Sequence, residues 1–165
     1  MLDSVVLINL AASNLLEAIR RLPEALLVPP DVVEETAGAG ERLRYADAIT
    51  IRRGVVAGTV RVVGDADARV VRRLQRETRL RRTDAAVVAL AMRHRAIVGS
   101  DDAKVRRVAE LHGLTRGGTG YLLARLIATG VVTREDARSC VEALIAGGWY
   151  CDVKTYAEIL RELGF

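Results

Sequence analysis

Four acidic residues from four separate segments, Asp3, Glu35, Asp84 and Asp102, are where chemistry is expected in this chain. Carboxylates from several segments suit one hard divalent cation, magnesium or manganese, because these ions prefer oxygen ligands. Other kinds of site are poorly furnished. The only histidines are His94 and His112 and the only cysteines Cys140 and Cys151, without the clustering of a zinc site. No serine or cysteine triad is indicated. Taken singly, each acid has an ordinary reading. Asp84 complements a helix dipole, Asp101 or Asp102 caps a helix, Glu34 and Glu35 are solvated first-turn acids, and Asp3 is a terminal residue. Only the set of four carries a functional reading.

The elements that must position these acids follow from periodicity and turn signals. Leu2 to Leu10 reads as a strand, followed by a helix with Leu15, Leu16, Ile19 and Leu22 on one face. Ala25 to Val28 is a short buried strand, and Pro29-Pro30 start a helix that carries Glu34 and Glu35 and ends near Gly38 and Gly40. Ile49-Thr50-Ile51 and Val60 to Val63 have strand character, separated by breaks at Gly54 and Gly58, so a hairpin or edge strand is expected. From Asp65 to about Arg82 runs an arginine-rich helix with Val70, Val71 and Leu74 as its apolar stripe. Thr83 is expected to cap the next helix, which carries Asp84. Ala96 to Gly99 is a third strand, closed by Ser100-Asp101-Asp102. The helix after it turns Val105, Val108 and Leu111 inward and stops at Gly113. Gly117 to Gly120 form a turn feeding a helix through Leu122, Leu123 and Leu126 to Gly130. Thr133 to Asp136 resemble a capping box for a helix ending at Gly147-Gly148, and Asp152 is expected to cap a last helix with Tyr156, Ile159, Leu160 and Leu163 inward. Strands alternating with helices imply right-handed crossovers and a mostly parallel sheet covered on both faces.

The 165 residues fit a single domain, 1–165, and half of them are hydrophobic, which argues against a disordered chain. Two cysteines without a disulfide pattern, no signal-peptide pattern and no long apolar run predict a cytoplasmic protein that does not enter a membrane. The net charge of +4 comes almost wholly from arginine, since Lys104 and Lys154 are the only lysines. Arginine binds phosphate in a bidentate manner, so nucleic acid is compatible with the composition without being selected by it.

Four stretches resemble, in order, the motifs of the PIN-domain family. Asp3-Ser4-Val5-Val6-Leu7-Ile8-Asn9-Leu10 is similar to its opening, and Val28 to Glu35 to its second acidic segment. Thr83 to Ala91 resembles the third and Val98 to Val105 the fourth, a hydroxyl, any residue, then aspartate. The Gly117 to Leu123 turn and helix and the tail from Trp149 to Leu163 resemble a prokaryotic branch of uncharacterised and VapC-like, toxin-type members. Two departures stand out: only Met1 and Leu2 precede Asp3, and Ala86 stands where the third segment often carries a second acid. The resemblance implies a three-layer α/β/α domain with a mostly parallel central sheet and a magnesium- or manganese-dependent endoribonuclease, of the kind found as the toxin of a toxin–antitoxin pair. Its partners would be an RNA substrate, an antitoxin protein and a second copy of the chain. Asp3 and Asp102 would be the central metal ligands, Asp84 and Glu35 would support them or orient water, and Ser4, Ser100 and Asp101 would contact the ligating acids.

Arg69, Arg72, Arg73 and Arg76 share one side of the arginine-rich helix, and Arg79, Arg81 and Arg82 extend the charge toward Asp84. Arg72 and Arg76 are the candidates for contacting RNA phosphates; the alternative is a solvated face paired with acids. Two other functions compete with the nuclease: a catalytically silent PIN-like module that binds RNA or protein, and an unrelated flavodoxin-like signalling domain with an acidic pocket.

Overall fold

The computed structural model describes residues 1–42, 45–151 and 153–164. The chain begins as an extended segment, Met1 to Asp3, that turns directly into helix α1 (Ser4–Ala12), followed by α2 (Leu15–Ile19) and strand β1 (Leu26–Val28). Helix α3 (Pro30–Val33) passes without interruption through a π-helical turn (Glu34–Gly38) into α4 (Ala39–Arg42). Helix α5 (Ala46–Val56) leads to β2 (Val60–Val62), and α6 (Ala68–Thr78) and α7 (Arg82–His94) lead to β3 (Val98–Gly99). Helix α8 (Ala103–Leu111) and β4 (Arg116–Gly117) complete the α/β part, and α9 (Thr119–Ala128), α10 (Arg134–Ala146) and α11 (Val153–Leu163) follow. Among the described residues no helix is long and apolar enough to cross a membrane.

Two parallel strand pairs, β1 with β2 and β3 with β4, are joined by the N-terminal segment. Leu2 donates its N–H to the Leu27 carbonyl at 2.8 Å on one side, while Asp3 N–H reaches the Gly99 carbonyl at 3.0 Å on the other. Gly99 returns a bond to the Met1 carbonyl at 2.8 Å. The order across the sheet is therefore β2, β1, Met1–Asp3, β3, β4, all parallel. The chain first runs outward in one direction and then jumps back to the other side of its own beginning. With right-handed crossovers, α1 to α5 cover one face and α6 to α8 the other, so the α/β fold has three layers.

Several expectations are corrected. Residues 4–10 are helical, not a strand: the Asp3 carboxylate accepts the Val6 N–H at 2.9 Å and caps the helix, which buries Val6, Leu7, Leu10 and Ala11 at helical spacing. Ile49-Thr50-Ile51 lie inside α5, which buries Ala48, Ile51 and Gly54 three residues apart. Gly54 is no break; Val60 and Leu16 pack 3.4 and 3.7 Å from where its Cβ would stand. Residues 49–51 and 60–63 therefore form no hairpin; of the two expectations the edge strand holds, since among the described residues β2 pairs with β1 alone, in parallel across a helical crossover. The helix after Pro30 does not end at Gly38 or Gly40 but runs to Arg42. Leu111 points outward, 68% exposed, because the inner face of α8 consists of Val105, Val108 and Ala109.

Other expectations hold. Gly113 ends α8 with φ +70, and the Thr133 hydroxyl caps α10 by accepting Asp136 N–H at 3.1 Å. Ile159 of α11 is buried, with Tyr156 and Leu160 partly so. The expected cap Asp152 and the side chain of Leu163 lie outside the described residues.

Candidate active site

In an open parallel sheet the ligand crevice lies beyond the carboxyl ends of the strands, where the strand order reverses. Here the reversal falls between the Met1–Asp3 segment and β3. Asp3 ends the first of these and Ser100-Asp101-Asp102 follow the second. Two of the expected acids are thus delivered to the switch point by the topology itself, each capping the helix that leaves it. Asp102 accepts Lys104 N–H at 2.6 Å and Val105 N–H at 3.3 Å, and so starts α8.

Asp3 is buried, 4% exposed. Burial pushes its carboxyl up from the ordinary 3.8 to about 6; the charges of Asp101 and Asp84 act in the same direction, while hydrogen bonds from the Ser100 hydroxyl and Val6 N–H oppose them. Ser100, fully buried, also accepts Asp102 N–H at 3.1 Å, so one hydroxyl orders both acids.

Asp84 comes from the first turn of α7 and is buried. It pairs with Arg81, Nε to Oδ2 3.1 Å. That hydrogen bond, with the charge of Asp84, raises the Arg81 pKa, and Glu35 and Asp102 add smaller contributions of the same sign. Arg81 is the N-cap residue of α7, and its long side chain brings a cation into the field of three of the four expected acids. Thr83 does not cap α7. Its hydroxyl donates to Glu35 Oε1, and Ser4 donates to Glu35 Oε2 at 2.7 Å. The carboxylate of Glu35, carried on the π-helical turn, is therefore clamped between α1 and α7.

Asp101 behaves differently. One oxygen accepts Asn9 Nδ2 at 3.0 Å, Thr119 Oγ1 at 2.6 Å and Trp149 Nε1 at 2.9 Å, and the other accepts Thr119 N–H at 2.8 Å. It ties α1, the start of α9 and the segment after α10 to the end of β3. Sequence reasoning named Asp101 only as a neighbour of the ligating acids. The partners Asn9, Thr119 and Trp149 carry no sequence signal linking them to it. The pairing of Arg81 with Asp84 did have a signal, their spacing of three on one helix.

Of the arginines, Arg69, Arg72, Arg73 and Arg76 all lie on the exposed side of α6, where Arg73 pairs with Glu77 at 3.2 Å. Arg72 faces a cavity beside α7 and Arg76 does not line it.

The donor chemistry fits a hard divalent cation: oxygen ligands only, two of them, Asp3 and Asp84, buried carboxylates. The geometry as it stands is not closed around an ion. Among the described residues no three acids, histidines or cysteines stand together closely enough to hold a metal. Glu35, Asp84 and Asp102 are each engaged by donors of the chain itself.

A family model described as a PIN domain matches residues 1–164. No curated protein matches. Among solved structures, the crystal structure of PAE2754 from Pyrobaculum aerophilum is similar in fold, with a TM-score of 0.62 over 77% of this chain and 93% of that one at 21% identity.

Proposed function

Because the chain belongs to the PIN-domain family, whose members are generally nucleases that use divalent metal ions, we propose that it is a metal-dependent endoribonuclease. The observation that carries the reading is the buried Asp3 at the switch point, its carboxyl raised by burial and by the charges of Asp84 and Asp101. A carboxylate so placed is unfavourable without a cation, and the approach of one relieves both the burial and the like-charge cost. Asp3, Asp84 and Asp102 would hold magnesium or manganese. A bound ion of this kind polarises the scissile phosphate and lowers the pKa of water for in-line attack.

The chain's own residues do the rest. Ser100 orients Asp3, and Ser4 with Thr83 hold the Glu35 carboxylate toward the site, where it can accept a proton from water. Arg81 neutralises Asp84 in the absence of a cation, and on substrate binding its guanidinium is free to turn to a phosphate oxygen.

The test is cleavage of a fluorescent single-stranded RNA with manganese or magnesium. We expect cleavage that chelation abolishes and that Asp84→Asn removes while leaving the thermal midpoint within a few degrees. A specific observation favours a second reading, the catalytically silent RNA- or protein-binding module: no three acids stand closed around an ion among the described residues. If pure protein neither binds manganese at millimolar concentration nor cleaves RNA, that reading replaces the first. An antitoxin partner would be sought by co-purification with the product of the adjacent gene.

A further inference from the structure

We infer that the cavity between α3, α6 and α7 is a nucleobase pocket that takes the base next to the scissile phosphate; this rests on the nuclease reading and adds a subsite to it. The cavity measures about 250 Å³. That is room for on the order of eight waters, or a base with part of its ribose. Its lining includes Pro29 and Pro30, which follow the end of β1, and Asp65, which follows β2. It therefore lies beside the same carboxyl edge of the sheet as the acids. Strands lie roughly 4.8 Å apart, so the ends of β1 and β2 stand about one and two such spacings from the Asp3 segment.

The two sites meet on α7. Arg82 lines the cavity, while its neighbour Thr83 donates to Glu35. Arg82 also pairs at 3.5 Å with Asp31, another lining residue.

The lining selects a base over a phosphate. Arg72 and Arg82 are balanced by Asp31 and Asp65, so the pocket has no net positive charge to attract a phosphate. A base edge presents donors and acceptors side by side, and this wall answers with both: guanidinium N–H groups, carboxylates and the Gln75 amide. The side chains of Arg72 and Gln75 make no hydrogen bond among the described residues, which leaves their polar groups open to a ligand. Pro30 and Val71 supply flat apolar contact for the ring.

The experiment measures binding of four labelled five-nucleotide RNAs, each of a single base, to the full chain in EDTA by fluorescence anisotropy. Wild type should prefer one base by about three- to tenfold, the discrimination that one or two hydrogen bonds supply. Gln75→Ala and Arg72→Ala should flatten that preference. Arg76→Ala, a charge lost from the same helix outside the cavity, should weaken all four equally. Equal binding of the four by wild type, no binding at all, or a preference that survives both cavity variants overturns the pocket. Cleavage of the same oligonucleotides with manganese separates the two readings. Base-selective binding without cleavage removes the nuclease and keeps the pocket, whereas cleavage without base selectivity in either assay removes the pocket alone.

Discussion

Asp3 and Asp101 lie on neighbouring strands at one end of the sheet, yet they are held in opposite ways. Asp101 is saturated: four donors from three other segments surround its two oxygens. Asp3 is more buried but receives only the Ser100 hydroxyl and Val6 N–H, and two like charges stand nearby. The saturated carboxylate has become a fastener of the fold. The under-supplied one is electrostatically unfavourable unless a proton or a cation arrives. Chain position alone does not distinguish the two; the count of donors does.

The largest effect is expected where donors are most numerous. Asp101→Ala leaves Asn9, Thr119 and Trp149 without their shared acceptor, at a cost of about 3 kcal/mol, since hydrogen bonds to a charged group are worth roughly 1.5–3 kcal/mol each and these are not additive. Trp149 is the only tryptophan, so its fluorescence should shift in the folded variant, and urea unfolding measures the loss. A variant as stable as wild type, with an unshifted spectrum, would show that Asp101 fastens nothing.

The next effect has the reverse sign. Between the ordinary 3.8 and about 6, folded Asp3 keeps a proton that the unfolded chain has released. The native state then binds more protons, so this residue makes stability fall as pH rises through that window and leaves it level above. Asp3→Asn, which preserves the helix cap, should remove the slope and stabilise the chain by about 2 kcal/mol at pH 7. On the nuclease reading it also abolishes cleavage. Denaturation at pH 4.5 and pH 7 checks the first expectation, and a slope unchanged by the substitution would refute it.

Gly118→Ala probes the fastener from its other side. A Cβ at Gly118 would run into Asp101 Oδ1 and approach the Ser100 carbonyl at 3.1 Å. Displacing the carboxylate should cost about 1–2 kcal/mol, the usual range for overpacking. In a double variant with Asp101→Ala the cost should shrink, because the atom it strikes is gone; full additivity in a double-mutant cycle would uncouple the two.

The contrast between these acids also marks how far the sequence could be read. Helices α8 to α10 are legible because an apolar stripe and a cap or stop identify each, whereas α6 and α7 show their stripes but not their ends: α6 stops at Thr78 and Arg81, not Thr83, caps α7. α1 is not legible, since Ser4 to Ala12 is apolar nearly all round and leaves no period to separate helix from strand. α5 hid behind Ile49-Thr50-Ile51, whose β-branched character local reasoning over-weighted. In the site, Asp3 and Asp102 are legible because each follows a strand end directly, whereas Asp84 stands a whole helix before β3. Which of Asp101 and Asp102 faces inward is not legible, because Asn9, Thr119 and Trp149 are brought to Asp101 by tertiary packing alone.

The smallest effect concerns Arg81, the cation that pairs with Asp84. Arg81 is mostly exposed, with 78% of its side chain open to solvent, so its pair with Asp84 is weak and screened. If Arg81 stands in for a metal, Arg81→Gln should tighten manganese binding, by no more than about fivefold given that exposed pairs contribute at most roughly 1 kcal/mol. The gain should narrow as salt is raised, because salt already weakens the competitor in wild type. Cleavage should move the other way and slow, since the phosphate would lose a donor. Calorimetric titration with manganese at two salt concentrations, set beside the rate of RNA cleavage, reads both signs. Weaker manganese binding in the variant would make Arg81 a builder of the acidic site and not its occupant, and Asp84 would then belong with Asp101 among the carboxylates that the chain has already satisfied.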